Sequence, residues 1–345
     1  MAETFGVGIV GAGVIGNVHA GALQGVGNAK LLAVAEPREG AGQQFAAKYG
    51  VTWYASYLDM LQHPGIDVII LGTPSGLHPD QAILAAEHGK HIITEKPMAI
   101  TSDGATRMIE AADNAGVHLA VIFQNRLSPN VVKVLRGIEA GLIGRPLLGQ
   151  GHLHWHRTQE YYDANGGWRG TWALDGGGAF MNQTIHTIDQ LQWLMGGAVA
   201  VQAMIATLTH QIETEDTGAA ALEFANGALG TITATTSTNK DRPVHIEIVG
   251  DQGKAVLEAG ELISWEGTAD LTDELLTATD RELVQGWSKD EEFGGGHRRQ
   301  QQAIFNALAR GETPPFPGRE ARKAVDIILG IYESARTQQR VTLIP

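Results

Sequence analysis

The sequence predicts a two-domain α/β protein, with a doubly wound parallel sheet over residues 1–125 and an α+β domain over 126–345. Three observations carry this reading. Short apolar segments alternate with helical ones through the first 125 residues, the pattern of parallel strands joined by crossover helices. Two hairpin signals follow: Asn226-Gly227 joins Ala219–Phe224 to Ala228–Thr236, and Asp251-Gln252-Gly253 joins Val244–Val249 to Lys254–Glu258. A length of 345 residues suits about two domains of ordinary size.

Element by element, Phe5–Val10 is a short apolar strand and the segment after Gly16 is helical. Leu31–Ala35, Val51–Tyr54, Val68–Leu71, His91–Thr94 and His118–Ile122 are the further strands, separated by helices that include Asp80–His88 and Ser102–Asn114. A helix starts behind Pro129, where a proline fits the first helical turn. A long strand follows over Leu147–Arg157. Residues 268–296 are acidic and end in Gly294-Gly295-Gly296, which reads as a mobile surface excursion. The last helix, about Glu320 to Arg336, places Ala321, Ala324, Val325, Ile328, Ile331, Tyr332 and Ala335 on one face and should pack on the core.

Composition narrows the chemistry. With 38 acidic and 25 basic residues the net charge is −13, which disfavours nucleic acid or an anionic membrane as a partner. Cysteine is absent, so disulfides, thiol nucleophiles and Cys-based zinc or iron–sulfur sites are excluded. The apolar N-terminus lacks Lys or Arg before Lys30 and so lacks the basic start of a signal peptide. No run approaches the ~20 apolar residues of a membrane span, and a soluble, cytoplasmic protein is expected. The 44 glycines are roughly double the usual share and follow no collagen period, so backbone must turn or approach something closely at many points.

The first such point is Gly11, Gly13 and Gly16, a G-x-G-x-x-G run enclosing Val14 and Ile15 between the first strand and its helix. These glycines allow a tight turn and bring backbone N–H groups to a pyrophosphate at the helix N-terminus. Glu36 stands 20 residues beyond Gly16, at the end of the second strand, where a carboxylate takes ribose hydroxyls and repels a 2′-phosphate. NAD is therefore favoured over NADP, although Arg38 could stack on adenine or meet a phosphate. Ligands bind at the carboxyl ends of such strands, which draws attention to Thr73-Pro74-Ser75 with His78, and to Glu95-Lys96-Pro97. A lysine beside a cationic nicotinamide would have a lowered pKa and could move a proton; the proline after it could be cis.

In the second part Asn182, His186 and Asp189 fall at i, i+4 and i+7, on one helix face, beside an apolar face of Met181, Ile185 and Ile188. Such a helix lines a cleft, and a neutral His186 would suit removal of a hydroxyl proton. His152, His154 and His156 alternate along one strand and so share a face. They are expected to line a cleft or an interface rather than to hold a metal, because no carboxylate stands at matching spacing. Trp155 and Arg157 point the other way. Trp168 and Trp172 could cover a nicotinamide or pack, with packing favoured for Trp172.

Several of these segments together are recognisable. Gly89-Lys90-His91 leading to Glu95-Lys96-Pro97, then Gln124-Asn125-Arg126, Trp155-x-Arg157, Tyr161-Tyr162-Asp163, Trp168-Arg169-Gly170-Thr171-Trp172 and Asp175-Gly176-Gly177-Gly178 resemble the Gfo/Idh/MocA family of NAD(P)-dependent oxidoreductases. The resemblance runs on to Ile331-Tyr332-Glu333-Ser334-Ala335 and so spans nearly the whole chain. It implies an N-terminal Rossmann domain and a C-terminal domain with a large open, mainly antiparallel sheet that often mediates homodimers or homotetramers. The implied activity is hydride transfer between nicotinamide and a hydroxyl carbon of a sugar, sugar nucleotide or inositol. Family catalysis pairs the EKP lysine with Asp-x-x-x-His; the matching positions are Lys96, Asn182 and His186, so the acid is replaced by an amide. Asn182 can orient a hydroxyl but cannot take its proton, which moves that task to His186. The run Phe180-Met181-Asn182-Gln183 is similar to the branch acting on UDP-linked amino-sugar uronates, and Arg157 or Arg169 could meet the acid.

Motifs and resemblance together assign cofactor contacts to Gly11, Gly13, Val14, Ile15, Gly16, Glu36, Arg38, Thr73, Pro74, His78, Glu95, Lys96 and Gln124. Substrate contacts are assigned to Lys96, Asn125, Arg126, Arg157, Trp168, Arg169, Asn182 and His186, with no metal. Two other activities compete: an NAD-dependent glycosidase that recycles its cofactor within one cycle, and a non-catalytic NAD sensor. Retention of both Lys96 and His186 argues against the sensor.

Overall fold

The computed structural model describes residues 4–286 and 295–343, and its contacts divide the chain into two compact units. In the first, β1 (Phe5–Val10), β2 (Ala29–Ala35), β3 (Thr52–Tyr54), β4 (Val68–Leu71), β5 (His91–Thr94) and β6 (Leu119–Val121) form one sheet. Its order is β3-β2-β1-β4-β5-β6 and all pairings are parallel. Helices α1 (Val14–Leu23), α2 (Glu39–Tyr49), α3 (Tyr57–Leu61), α4 (His78–Glu87) and α5 (Ser102–Ala115) make the crossovers. The strand order reverses between β2 and β4 on either side of β1, the switch point at which such sheets open a crevice for ligands. Every residue of β1 and β4 is buried, as expected of parallel strands covered on both faces.

The second unit begins with α6 (Pro129–Glu139), β7 (Pro146–His154), α7 (Gln159–Gly167) and α8 (Ile185–Leu194). It continues through β8 (Ala198–Ala206), β9 (Thr217–Phe224), β10 (Leu229–Thr235), β11 (His245–Gly250), β12 (Gly253–Glu258), β13 (Glu261–Glu266) and α9 (Ala278–Val284). Both expected hairpins form, β9–β10 and β11–β12. With β14 (Val341–Thr342) they build an eight-stranded sheet, β13-β12-β11-β7-β10-β9-β8-β14, in which only β7–β10 is parallel. The row Ala203, Ala220, Ile232, Gly151, Ile246 and Leu257 is buried on one face. Two residues earlier on the same face, a Cβ on Gly149 would stand 2.9 Å from Met195 of the segment after α8, so glycine lets that segment lie close on the sheet. The next row, Met204, Ala219, Thr233, His152, His245 and Glu258, is partly or fully exposed, with Met204 at 77%. This sheet therefore has one covered and one open face.

Two expectations about organisation change. The chain does not stay in the second unit after residue 126: helix α10 (Gly295–Ala309) belongs to the first. It lays Ile304, Phe305 and Leu308 into the core formed by β1 and β4, with Phe305 ring-to-ring on Phe5 at 5.8 Å. Helix α11 (Gly318–Thr337) then carries the chain back. Its expected apolar face is real, with Ala321, Ala324, Val325, Ile328 and Ile331 all fully buried. The acidic stretch 268–286 is tied down rather than loose, since Asp273 pairs with Lys133 and Asp280 with Arg136 at 2.5 and 2.8 Å. Residues 287–294 of that expected excursion lie outside the described residues, and Gly295 opens α10. Among the described residues no helix is long and apolar enough to cross a membrane.

Candidate active site

In the first unit the three motif glycines divide the work as their spacing suggests. Gly11 adopts φ +98°, a conformation that side chains resist, and turns the chain out of β1. A Cβ on Gly16 would lie 2.0 Å from the Gly11 carbonyl oxygen, so the third glycine lets α1 close on the turn. A Cβ on Gly13 would meet nothing within 4 Å, and that open space lies at the N-terminus of α1. This is the cradle a pyrophosphate requires. Val14, 71% exposed, and Ile15 follow it in the first turn. Gln124 adds a second feature that fits a dinucleotide, a buried Oε1 with no hydrogen-bond partner.

Glu36 closes the other side of the turn. Its carboxylate accepts the Ala12 N–H at 2.9 Å and is gripped by Arg38 through Nε at 2.7 Å and Nη2 at 3.1 Å. Burial alone would raise its pKa, but the Arg38 guanidinium and the two backbone N–H bonds outweigh this and hold it below the usual range. Arg38, which sequence reading left ready for adenine or phosphate, is thus engaged with Glu36.

The strand-end motifs are tied together more tightly than the sequence suggests. His78 does not face the cleft as a cofactor contact: it is buried, with Nδ1 2.9 Å from the Pro97 carbonyl and Nε2 3.0 Å from that of Thr73. It links the β4 and β5 end loops, leaving Thr73 and Pro74 partly exposed. Burial lowers its pKa, opposed by the two carbonyls at its ring nitrogens. Glu95, also assigned to the cofactor, is an anchor instead. Its Oε1 lies 3.0 Å from His19 Nε2 on α1 and 3.2 Å from His297 Nε2 on α10, while Oε2 accepts the Lys96 N–H at 3.1 Å. Burial opposes ionisation of Glu95, yet the two histidines hold its pKa well below the usual range. These three groups are spaced as metal ligands could be. However, His19 Nδ1 accepts from Gln301 Nε2 at 2.8 Å, which leaves Nε2–H to donate to Glu95. The trio is thereby a hydrogen-bonded brace for the turn that presents Lys96. The Lys96-Pro97 peptide is cis, as expected. No local signal announces this brace, because His297 comes 202 residues after Glu95.

In the second unit the glycine triplet is packed against its neighbours. A Cβ on Gly177 would stand 2.0 Å from Tyr332 Oη, and one on Gly178 1.8 Å from the Glu215 carbonyl. Glu215, missed by sequence reading, grips the following turn: its carboxylate accepts N–H groups of Gly178 at 3.1 Å and Phe180 at 2.8 Å, and the Tyr332 hydroxyl at 3.0 Å. The turn it holds, Ala179–Thr184, is a π-helix that passes into α8 at Ile185. Met181, Ile185 and Ile188 are fully buried as expected, and Asn182 and His186 remain partly exposed.

The expected polar stripe stops there. Asp189 is 0% exposed and belongs to a buried ion pair with Arg126, through Nε–Oδ2 at 2.7 Å and Nη2–Oδ1 at 2.5 Å. Arg126, assigned to the substrate, is 2% exposed and lies over the Trp193 ring at 4.8 Å. Both corrections have one cause. Asp189 stands three residues beyond His186, about 60° further round α8 and on its covered side, and a buried carboxylate there requires a cation, which Arg126 supplies from 63 residues away. Asn125 beside it stays partly exposed, its carbonyl accepting from Gln190 at 2.9 Å.

Arg157 and Arg169, by contrast, lie at the surface around Tyr161. Their guanidinium carbons are 5.4 and 4.6 Å from the Tyr161 ring centre, with Trp155 4.7 Å from Arg157 and Trp168 4.9 Å from Arg169. Arg169 also borders a cavity of about 330 Å³, shared with Tyr162, Thr171, Gln211 and Glu213. Trp172 packs edge-on to Tyr332 at 5.2 Å but stays 43% exposed, so the packing expected of it is partial. His152 stacks on His154 and His245 at 4.5 and 4.8 Å on the open sheet face. Partial burial and these neighbours push the His152 pKa down to about 4. His156 does not join them, because β7 ends at His154 and the His156 ring turns to the Thr238 carbonyl at 2.5 Å.

Comparison with known proteins decides the family. Residues 5–123 match the model of the oxidoreductase family with an NAD-binding Rossmann fold, and residues 131–256 match the GFO/IDH/MocA C-terminal domain. The chain belongs to the GFO/IDH/MocA oxidoreductase family. Within that family it is 30% identical to levoglucosan dehydrogenase of Pseudarthrobacter phenanthrenivorans over 74% of this chain and 73% of the relative. It is 29% identical to the NAD(+)-dependent scyllo-inositol 2-dehydrogenase of Bacillus subtilis over 71% of each chain. The WlbA dehydrogenase of Bordetella pertussis, solved in complex with NADH and UDP-GlcNAcA, superposes with a TM-score of 0.92 at 36% identity over 99% of both chains. GFO/IDH/MocA membership agrees with the doubly wound sheet and with the open, mainly antiparallel second sheet described above.

Glu215 carries a stability prediction. Burial pushes its pKa up to about 7 despite three hydrogen-bond donors. A carboxyl whose folded pKa exceeds its unfolded one contributes stability that is full below about pH 4.5 and lost as pH rises through about 7. Glu215→Gln has no such proton to lose. Thermal melts should therefore show a larger gap between parent and variant at pH 5 than at pH 8; an equal gap would place the charge change elsewhere.

Proposed function

We propose that the protein is an NAD-dependent dehydrogenase that oxidises a hydroxyl carbon of a sugar acid, with UDP-linked amino-sugar uronates as its substrate class. The observation that carries the acid requirement is Arg169. Arg157 is paired with Asp241 at 3.3 Å, whereas Arg169 meets aromatic rings and, among the described residues, no carboxylate. That guanidinium makes no ion pair among the described residues, with Asp163 and Glu213 bordering the same cavity, and is suited to bind a substrate anion. The UDP-GlcNAcA held by the WlbA enzyme, a relative over the full chain, carries such an acid.

The roles follow from residue chemistry. Bound NAD supplies the hydride acceptor. Backbone at Gly11, Gly13 and Gly16 would hold its pyrophosphate, Glu36 its ribose hydroxyls, and Thr73, Pro74 and Gln124 would complete its contacts. A carboxylate at Glu36 would repel a 2′-phosphate, which favours NAD over NADP. His186 takes the hydroxyl proton as hydride departs, Lys96 stabilises the developing alkoxide, and Asn182 orients the hydroxyl without accepting its proton. The open sheet face, with Met204 exposed on it, is the surface we assign to self-association.

Mixing the purified protein with NAD and UDP-GlcNAcA should generate reduced nicotinamide, counted both free and enzyme-bound. Turnover should be much slower with the UDP-linked amino sugar that lacks the carboxylate. Oxidation of inositol in preference to the uronate would overturn the acid requirement while leaving the dehydrogenase reading intact.

A further inference from the structure

We infer that Tyr161 and Gln183 are positioning residues that make Asn182 respond to the substrate's anionic group. This rests on the reading that Arg169 binds that group. Gln183 Nε2 donates to Tyr161 Oη at 2.7 Å and to Asn182 Oδ1 at 3.0 Å. Asn182 Nδ2 donates to Asp175 Oδ1 at 2.5 Å, and Asp175 Oδ2 accepts the N–H of Gly170, the residue after Arg169, at 2.8 Å. Arg169 in turn lies 4.6 Å from the centre of the Tyr161 ring. The contacts close a circuit: Arg169, Tyr161, Gln183, Asn182, Asp175, Gly170 and back.

The chemistry of the circuit fixes Asn182 from both sides. An ionised carboxylate only accepts, so the amide nitrogen must face Asp175 and the amide oxygen must face Gln183. The circuit is stiff at its backbone link. Gly170 has φ +70°, and a Cβ there would lie 2.9 Å from Ile212 and 3.2 Å from Tyr162. The helical part of α7 ends at Asp163, since Ala164 is extended and Asn165 has φ 56°. Tyr161 therefore sits in a single short turn, held by its ring contacts and its hydroxyl. An anion drawing the Arg169 guanidinium toward itself shifts the ring that this cation covers. The hydroxyl holding Gln183 moves with the ring, and the orientation of Asn182 follows.

Tyr161→Phe keeps the ring and deletes only the oxygen; Gln183→Leu keeps the volume and deletes the amide. With UDP-GlcNAcA each variant should lower kcat about tenfold, the loss of one hydrogen bond. The KM and the calorimetric Kd should stay within about twofold of the parent, because neither change touches the cation. The double variant should be no slower than the worse single one, since both act through one path. Arg169→Gln should instead raise KM and Kd at least about tenfold. If it does so while the Tyr161 and Gln183 variants keep parental kcat, or lose it additively, the circuit is refuted and the acid site stands. A lowered melting temperature with unchanged kcat also refutes the circuit, because the two residues then only brace the fold. If the parent fails to bind UDP-GlcNAcA, or Arg169→Gln leaves binding unaltered, the acid site itself falls and takes the circuit with it.

Discussion

Lys96→Ala should collapse turnover while NAD remains bound. A positioned donor to a developing alkoxide contributes about 10²–10³-fold, and a loss of kcat in that range is expected. The contrast with binding follows from how the turn is built. Glu95 is braced by His19 and His297, and it holds Lys96 by the backbone N–H, which alanine retains. The pyrophosphate cradle at Gly13 belongs to a different strand end and is untouched. Calorimetry with NAD and single-turnover kinetics on the same preparation separate the two effects. Parental turnover in the alanine variant would remove Lys96 from the mechanism, and lost NAD binding would make it a cofactor ligand instead. Lys96→Arg keeps the charge but cannot release a proton near neutral pH, so it distinguishes electrostatic support from proton transfer.

The second large effect concerns stability. Asp189→Ala should cost about 3–5 kcal/mol, because it leaves the buried Arg126 guanidinium without its carboxylate. Urea unfolding read by tryptophan fluorescence measures this directly. Removing both charges should recover most of the loss, as when Arg126→Met is combined with Asp189→Leu, since a well-packed apolar pair often equals a buried ion pair. A single variant within about 1 kcal/mol of the parent would mean that water or another group already compensates the charge.

Sequence periodicity carried much of the architecture and part of the site. The parallel sheet was legible because each strand is a short apolar run bounded by a turn, and both hairpins because Asn226-Gly227 and Asp251-Gln252-Gly253 are strong local signals. The pyrophosphate turn was legible for the same reason, since its geometry depends on three glycines within six residues. What stayed hidden was non-local. Glu95 looks like any strand-end carboxylate until His297 arrives from a helix that returns to the first unit. Arg126 read as a substrate contact and Asp189 as part of a cleft-lining stripe, and only their encounter inside the fold makes them structural. Glu215 gave no sign because two of its partners are backbone N–H groups, which no side-chain motif records, and the third, Tyr332, stands 117 residues away.

The π-turn at Ala179–Thr184 has one more consequence. A π-helix winds more residues into each turn than an α-helix, so this stretch holds a spare residue beyond what a plain α-helix would need. Deleting one residue would let the helix rewind as α, but each α residue turns about 100° around the axis. Asn182 would then swing away from Asp175 and lose its fixed azimuth relative to His186. The surplus residue acts as an indexing tooth, setting the angle at which an amide and an imidazole four positions apart emerge from one rod.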